Sequence, residues 1–140
     1  MRIFLDANIL FSAAKSAGAM RGFLGELRAC KHTLVADTYV VDEARRNIEA
    51  KFPATMGGFE KMLSQIEFFT GVCGTLPIEI ASELPEKDRP VLAAAIKHRC
   101  DALVTGDKRH FGALYGHCVE GVMIHSPASL AIQLLKNPEN

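Results

Sequence analysis

Short, unbroken apolar runs recur along this chain, and a polar or acidic residue closes each of them. Ile3-Phe4-Leu5 runs into Asp6, Leu34-Val35-Ala36 into Asp37, and Ala102-Leu103-Val104 into Thr105-Gly106-Asp107. Runs this short without polar alternation predict strands covered on both faces, the pattern of a parallel sheet. The stretches between them follow helical spacing. Asn8 to Ala14 and Met20 to Ala29 predict two helical segments separated by Ser16-Ala17-Gly18. Asp37 or Thr38 can cap a helix running to about Phe52, with Val40, Val41, Ala44 and Ile48 on its apolar side. Pro53 and Gly57-Gly58 break the pattern, and a further helix is expected over Phe59 to Ile66. Phe68 to Val72 resembles a strand, though its double Phe could equally end a helix. Val91 to Arg99 is Ala-rich, with apolar residues at 91, 92, 95 and 96, and Pro90 suits a first helical turn. Val119 to Ile124 predicts a last strand, weakened by Gly121, and Ser126-Pro127 opens a final helix before a polar tail from Asn137 to Asn140. Alternating strands and helices without a linker or repeat predict one α/β domain over residues 1–140, with a mainly parallel sheet.

That arrangement has a chemical consequence. Parallel strands deliver their carboxyl ends to one edge of the sheet, which is where open α/β sheets bind ligands. Asp6 and Asp107 are therefore expected at the same edge, after the first strand and the strand 102–104. Asp88 stands before the Ala-rich helix and Glu43 in the helix after the second strand, so both can join them.

Bulk properties narrow the classes. A chain of 140 residues has the length of one domain, and its 49% apolar and 23% charged residues are ordinary for a globular protein. Sixteen basic and sixteen acidic residues balance, so contact with nucleic acid has to come from a local basic patch. The apolar runs are too short for a membrane span and the N-terminus lacks a signal-peptide pattern, which points to the cytoplasm. Cysteines 30, 73, 100 and 118 have no CxxC spacing and are expected to be packed thiols. A metal site from His98, Cys100, His117 and Cys118 lacks the closely paired ligands of structural zinc.

Asp6-Ala7-Asn8 after the first strand, Glu43, Asp88 and Thr105-Gly106-Asp107 follow one another in an order that resembles the acidic signature of PIN-domain ribonucleases. The resemblance spans nearly the whole chain. It implies a three-layer α/β/α sandwich and metal-dependent hydrolysis of single-stranded RNA by metal-activated water. It makes Asp6, Glu43, Asp88 and Asp107 the catalytic residues and the ligands of Mg²⁺ or Mn²⁺, with Asn8 and Thr105 supporting them. Many small bacterial members are toxins of toxin–antitoxin pairs, others process RNA, and dimers are common. The implied partners are thus RNA, a protein antitoxin and a second copy of the chain. One departure stands out: the family most often has Thr where this chain has Ala7, and a hydroxyl there would support the site. Four clustered carboxylates repel one another, and a divalent cation, which prefers oxygen ligands, relieves that repulsion.

Each residue also has a plainer reading. Asp88 can satisfy free N–H groups at a helix start, Glu43 can be a solvated helix charge, Asn8 can cap the helix that follows it, and acids at strand ends can simply begin turns. Arg89, Lys108 and Arg109 are candidate phosphate contacts or solvated loop charges. His110 could also contact phosphate or serve as a proton donor, but with no partner evident in the sequence it is assigned no catalytic role. Two other classes compete. A haloacid-dehalogenase-type phosphatase also places an Asp after its first strand, but would carry an acid where this chain has Asn8. A non-catalytic RNA-binding or protein-interaction domain can keep the same sandwich.

Overall fold

The computed structural model describes residues 1–71 and 75–135. Val72, Cys73 and the polar tail from Asn137 lie outside the described residues. The chain begins with β1 (Arg2–Leu5), α1 (Ala7–Lys15), α2 (Ala19–Ala29), β2 (Thr33–Asp37) and α3 (Thr38–Lys51). It continues through a 3₁₀ turn at Pro53–Thr55 to α4 (Met56–Leu63), β3 (Glu67–Phe69) and the one-turn α5 (Ile78–Ala81). A second 3₁₀ turn, Glu86–Asp88, leads into α6 (Arg89–Lys97), followed by β4 (Ala102–Val104), the one-turn α7 (Lys108–Phe111) and a third 3₁₀ turn at Gly112–Leu114. The chain then forms β5 (Cys118–Val119), β6 (Val122–His125) and α8 (Pro127–Leu135).

The described strands form one sheet in the order β3-β2-β1-β4-β6-β5, flanked by helices, and every pairing is parallel except that of β5 with β6. β1 lies at its centre, with Phe4 opposite Val35 on one side and Leu103 on the other. Ile3, Phe4, Leu5, Leu103 and Val104 are fully buried, as expected of strands covered on both faces. Helix α1 packs against α2, α3 and α4. In α3, Val40, Val41, Ala44 and Ile48 face the core, and Asp37 caps the helix by accepting from the Val40 N–H at 3.2 Å. The buried polar side chains, Asp6, Asp37, Asp88, Thr105 and His125, gather mostly where strands end. Burying such groups costs free energy unless they are hydrogen-bonded, so their concentration at one edge marks a place built for something other than packing.

Three expectations change. Gly57-Gly58 does not precede the fourth helix but lies inside it, because α4 starts at Met56 and the fully buried Phe59 anchors its first turn. Burial of one aromatic side chain, about 1.5–3 kcal/mol, offsets a propensity loss of about 1 kcal/mol for each of the two glycines. The single last strand is instead a hairpin, β5 and β6 pairing Val119 with Val122 across Glu120-Gly121. Both turn residues have positive φ, 50° and 88°, as a tight hairpin turn with the twist of its strands requires. Nor are the described cysteines all packed: Cys100 is buried, which pushes its thiol up to about 11, while Cys30 and Cys118 are exposed. Among the described residues no helix is long and apolar enough to cross a membrane.

The hairpin turn can be tested directly. A β-branched residue at a left-handed position is strained, so Gly121→Val is expected to lower stability by about 1–2 kcal/mol. Urea unfolding followed by circular dichroism should show an earlier midpoint with an unchanged slope.

Candidate active site

Since β1 and β4 are adjacent and parallel, the segments after them leave the sheet side by side. Asp6 is 4% exposed and acts as the N-cap of α1. Its Oδ1 accepts from the Ala7 N–H at 2.7 Å, and its Oδ2 accepts from the Thr105 hydroxyl at 2.8 Å. Thr105, wholly buried, accepts in turn from the Asp107 N–H at 3.1 Å. Asp6 thus receives its hydroxyl donor from across the sheet edge. Asn8 is not the helix cap. Its amide donates to Asp6 Oδ2 and Thr105 Oγ1, both at 3.3 Å, and its Oδ1 accepts from the Gly106 N–H at 2.8 Å. A Cβ on residue 106 would stand 3.3 Å from that oxygen, so glycine lets the loop close on Asn8.

Asp107 caps α7 through Oδ1, which accepts from the His110 N–H at 3.1 Å. Its Oδ2 lies 2.9 Å from His110 Nδ1, and the same nitrogen is 2.8 Å from Asp88 Oδ2. Asp88 immediately precedes α6, yet its side chain makes no capping hydrogen bond there. It faces His110 instead. Both His110 Nδ1 and Asp88 Oδ2 are shielded from solvent without an aligned hydrogen-bond partner. Glu43 is exposed on α3, and with Asn8, Ser12, Asn47, Gly106 and Asp107 it lines a cavity of about 460 Å³.

Electrostatics tie the acids together. Burial pushes the Asp6 carboxyl up to about 6, against the opposing hydrogen bonds from Thr105 and Ala7, and the charges of Glu43 and Asp88 raise it further. Asp88 is raised too, first by burial, with His110 opposing and Asp107 adding to the rise. Tyr115, which donates to the Thr105 carbonyl at 2.8 Å, is raised by burial and by the charges of Asp107 and Asp6.

Of the four acids singled out in the sequence, Asp88 and Asp107 come together on His110, Asp6 lies near enough to Glu43 and Asp88 to feel their charges, and Glu43 shares a cavity lining with Asp107. Among the described residues, the tight group of metal-capable side chains is Asp88, Asp107 and His110, whose ligand atoms lie within 4.8 Å of one another. The His98, Cys100, His117 and Cys118 combination does not form such a group, and His98 instead stacks on Phe69 with ring centroids 4.0 Å apart. Lys108 and Arg109 are exposed on α7 beside the acids. Arg89 donates to the Leu84 carbonyl at 3.1 Å and lines a different cavity, with Tyr39 and Asp42. His110 and Tyr115 are the site residues that sequence reasoning passed over. The i,i+3 spacing of Asp107 and His110 was the available signal for the first; nothing local marked the second.

The donor set suits a divalent cation. Carboxylates and an imidazole are standard ligands, and two shielded ligand atoms lack aligned partners, which is where a cation would complete them.

This architecture is found in solved structures. A crystal structure of VapBC2 from Rickettsia felis bound to a DNA fragment from their promoter matches with a TM-score of 0.68 and 18% identity, over 90% of this chain and 98% of that one. The structure of VapBC-1 from nontypeable Haemophilus influenzae matches with a TM-score of 0.60 and 12% identity, over 91% of this chain and 99% of that one. No protein-family model and no curated protein sequence matches the chain. At these identities the likeness is one of fold: the chain has a PIN-like α/β/α architecture with a mostly parallel central sheet.

The buried charge makes stability pH-dependent. The unfolded chain loses the Asp6 proton near 3.8 and the folded chain near 6, so between these values the folded state binds more protons. Stability should fall as pH rises through that window and remain at the lower level above it. In chelator, Asp6→Asn is expected to resist urea better than the unsubstituted protein at about pH 8, with the gap closing toward about pH 4. An equal gap at both pH values would trace the gain to something other than the buried charge.

Proposed function

We propose that this protein is a metal-dependent ribonuclease that hydrolyses single-stranded RNA. The observation that supports this reading is the grouping of Asp88, Asp107 and His110 beside the buried Asp6, with the ligand atoms Asp88 Oδ2 and His110 Nδ1 shielded from solvent. Asp6, Asp88 and Asp107 would hold Mg²⁺ or Mn²⁺, and Glu43 would contribute directly or through water. When bound, such an ion generates a nucleophile from water at neutral pH and neutralises charge on the phosphate.

The chain's own residues provide the positioning. Thr105 and Asn8 hold the Asp6 carboxylate in one orientation, and Thr105 also directs the backbone that carries Asp107. Glu43 and Asn47 of α3 line the same cavity as Asn8, Gly106 and Asp107, and this is where a phosphodiester would lie. Lys108 and Arg109, exposed beside Asp107, would contact RNA phosphates. Arg89 is the weaker candidate for that role because its guanidinium is held on the Leu84 carbonyl.

The fold likeness to two VapBC assemblies supports a protein partner, and with the acidic signature it favours the toxin of a toxin–antitoxin pair. A phosphatase using Asp6 as nucleophile is disfavoured by Asn8, whose amide is engaged by Gly106, Thr105 and Asp6 and cannot serve as an acid or base near neutral pH.

Incubating end-labelled single-stranded RNA with the purified protein and Mg²⁺ or Mn²⁺ should yield fragments with 5′-phosphate and 3′-hydroxyl ends, and chelator should stop the reaction. Asp6→Asn or Asp107→Asn should reduce cleavage by orders of magnitude. Arg109→Ala should instead weaken RNA binding and lower the slope of log affinity against log salt by about one. Cleavage that survives chelator, or 2′,3′-cyclic phosphate ends, would overturn the proposal.

A further inference from the structure

We infer that His110 is itself a metal ligand through Nδ1, so that the site is a mixed nitrogen and oxygen centre selective for Mn²⁺ or Co²⁺ over Mg²⁺. The inference rests on the nuclease reading for the presence of a divalent ion at this edge, and adds a ligand and a metal preference to it. Nδ1 stands 2.8 Å from Asp88 Oδ2 and 2.9 Å from Asp107 Oδ2. If these contacts were simply an imidazolium shared by two carboxylates, an N–H should point at one of the oxygens. Both contacts are of ion-pair length, yet neither is aligned as a hydrogen bond, although Nδ1 and Asp88 Oδ2 are shielded from water.

Short separation without hydrogen-bond alignment is what ligand atoms show when they converge on a common third point. Two ligands at right angles, each about 2.1 Å from an octahedral ion, stand about 3.0 Å apart, close to the separations seen here. Local structure holds His110 in this position. Asp107 Oδ1 accepts from the His110 N–H at 3.1 Å, which caps the single turn of α7 and leaves Asp107 Oδ2 facing the ring. Phe111, fully buried, anchors the same turn. A histidine three residues after the acid is therefore brought back onto it by the turn that the acid caps.

An imidazole ligand alters which ion the site favours. Mg²⁺ is a hard cation that prefers oxygen, whereas imidazole suits transition metals, whose affinity for nitrogen rises from Mn²⁺ to Co²⁺. The test uses the full chain loaded with Mn²⁺. Pulsed electron paramagnetic resonance should show coupling to a directly bound ¹⁴N, and the coupling should disappear in His110→Ala. By titration calorimetry, His110→Ala should lose at least about tenfold in affinity for Mn²⁺ and Co²⁺ while its Mg²⁺ affinity changes less. His110→Asn offers a second variant with an oxygen donor in place of the ring, and should restore part of the Mg²⁺ affinity but not the nitrogen coupling. The spectrum of the unsubstituted protein decides the matter even if both variants unfold. Mn²⁺ bound without nitrogen coupling would overturn the inference and leave the nuclease reading standing. No binding of any divalent cation would overturn the metal site in both.

Discussion

An ionisable carboxylate buried between the ends of two central strands is the constraint on which this site depends. Asp6 sits where β1 leaves the sheet, nearly without solvent, and its charged form is stabilised there by hydrogen bonds from Thr105, Ala7 and Asn8. Thr105 cannot serve Asp6 unless β4 runs beside β1 in register, with Leu5 opposite Val104. The hydroxyl then has two further contacts, one to Asn8 and one to the backbone of Asp107. Strand pairing, loop conformation and acid placement are consequently a single problem with a single solution.

The same bonds separate structural from chemical roles among residues that look alike in sequence. Asp6, Asp37 and Asp107 all accept from backbone N–H groups at helix starts, so each contributes to folding as a cap. Asp88 also precedes a helix but has no capping bond, and its carboxylate is spent on the site. Asp107 does both, one oxygen on the α7 backbone and the other toward His110. Removing charge at position 107 therefore relieves repulsion while it also weakens a cap, whereas the cost of burial is concentrated on Asp6. A cation at this edge would offset much of that cost, and retaining a destabilised cluster is the usual compromise between activity and stability.

The strands β1, β2 and β4 and the helix α3 were legible along the chain because continuous apolar runs and a 3.6-residue stripe are local properties that core burial then obeys. Gly57-Gly58 misled because helix propensity is a weak local term, overridden where Phe59 reaches the core. The β5–β6 hairpin was missed because Glu120-Gly121 is a turn only if a non-glycine residue accepts a positive φ, which the pairing of Val119 with Val122 enforces. Exposure of Cys30 and Cys118 was hidden for a related reason: a small thiol is compatible with either side of an element, and only packing decides.

By itself the sequence determined the order of elements, the apolar strands that a parallel sheet needs and the two acids, Asp6 and Asp107, that follow adjacent strands to one edge. What only the tertiary structure decided was which partner each acid received. Asp6 met Thr105 across 99 positions of chain, Asn8 met Gly106 across 98, and Asp88 met His110 through the fold rather than through any motif. Local pattern sets which side chains can face the core, because helix and strand periods are properties of neighbouring residues. Hydrogen-bond alignment and burial depend on distances of tenths of an ångström between remote segments, and those exist only once the sheet has closed its register.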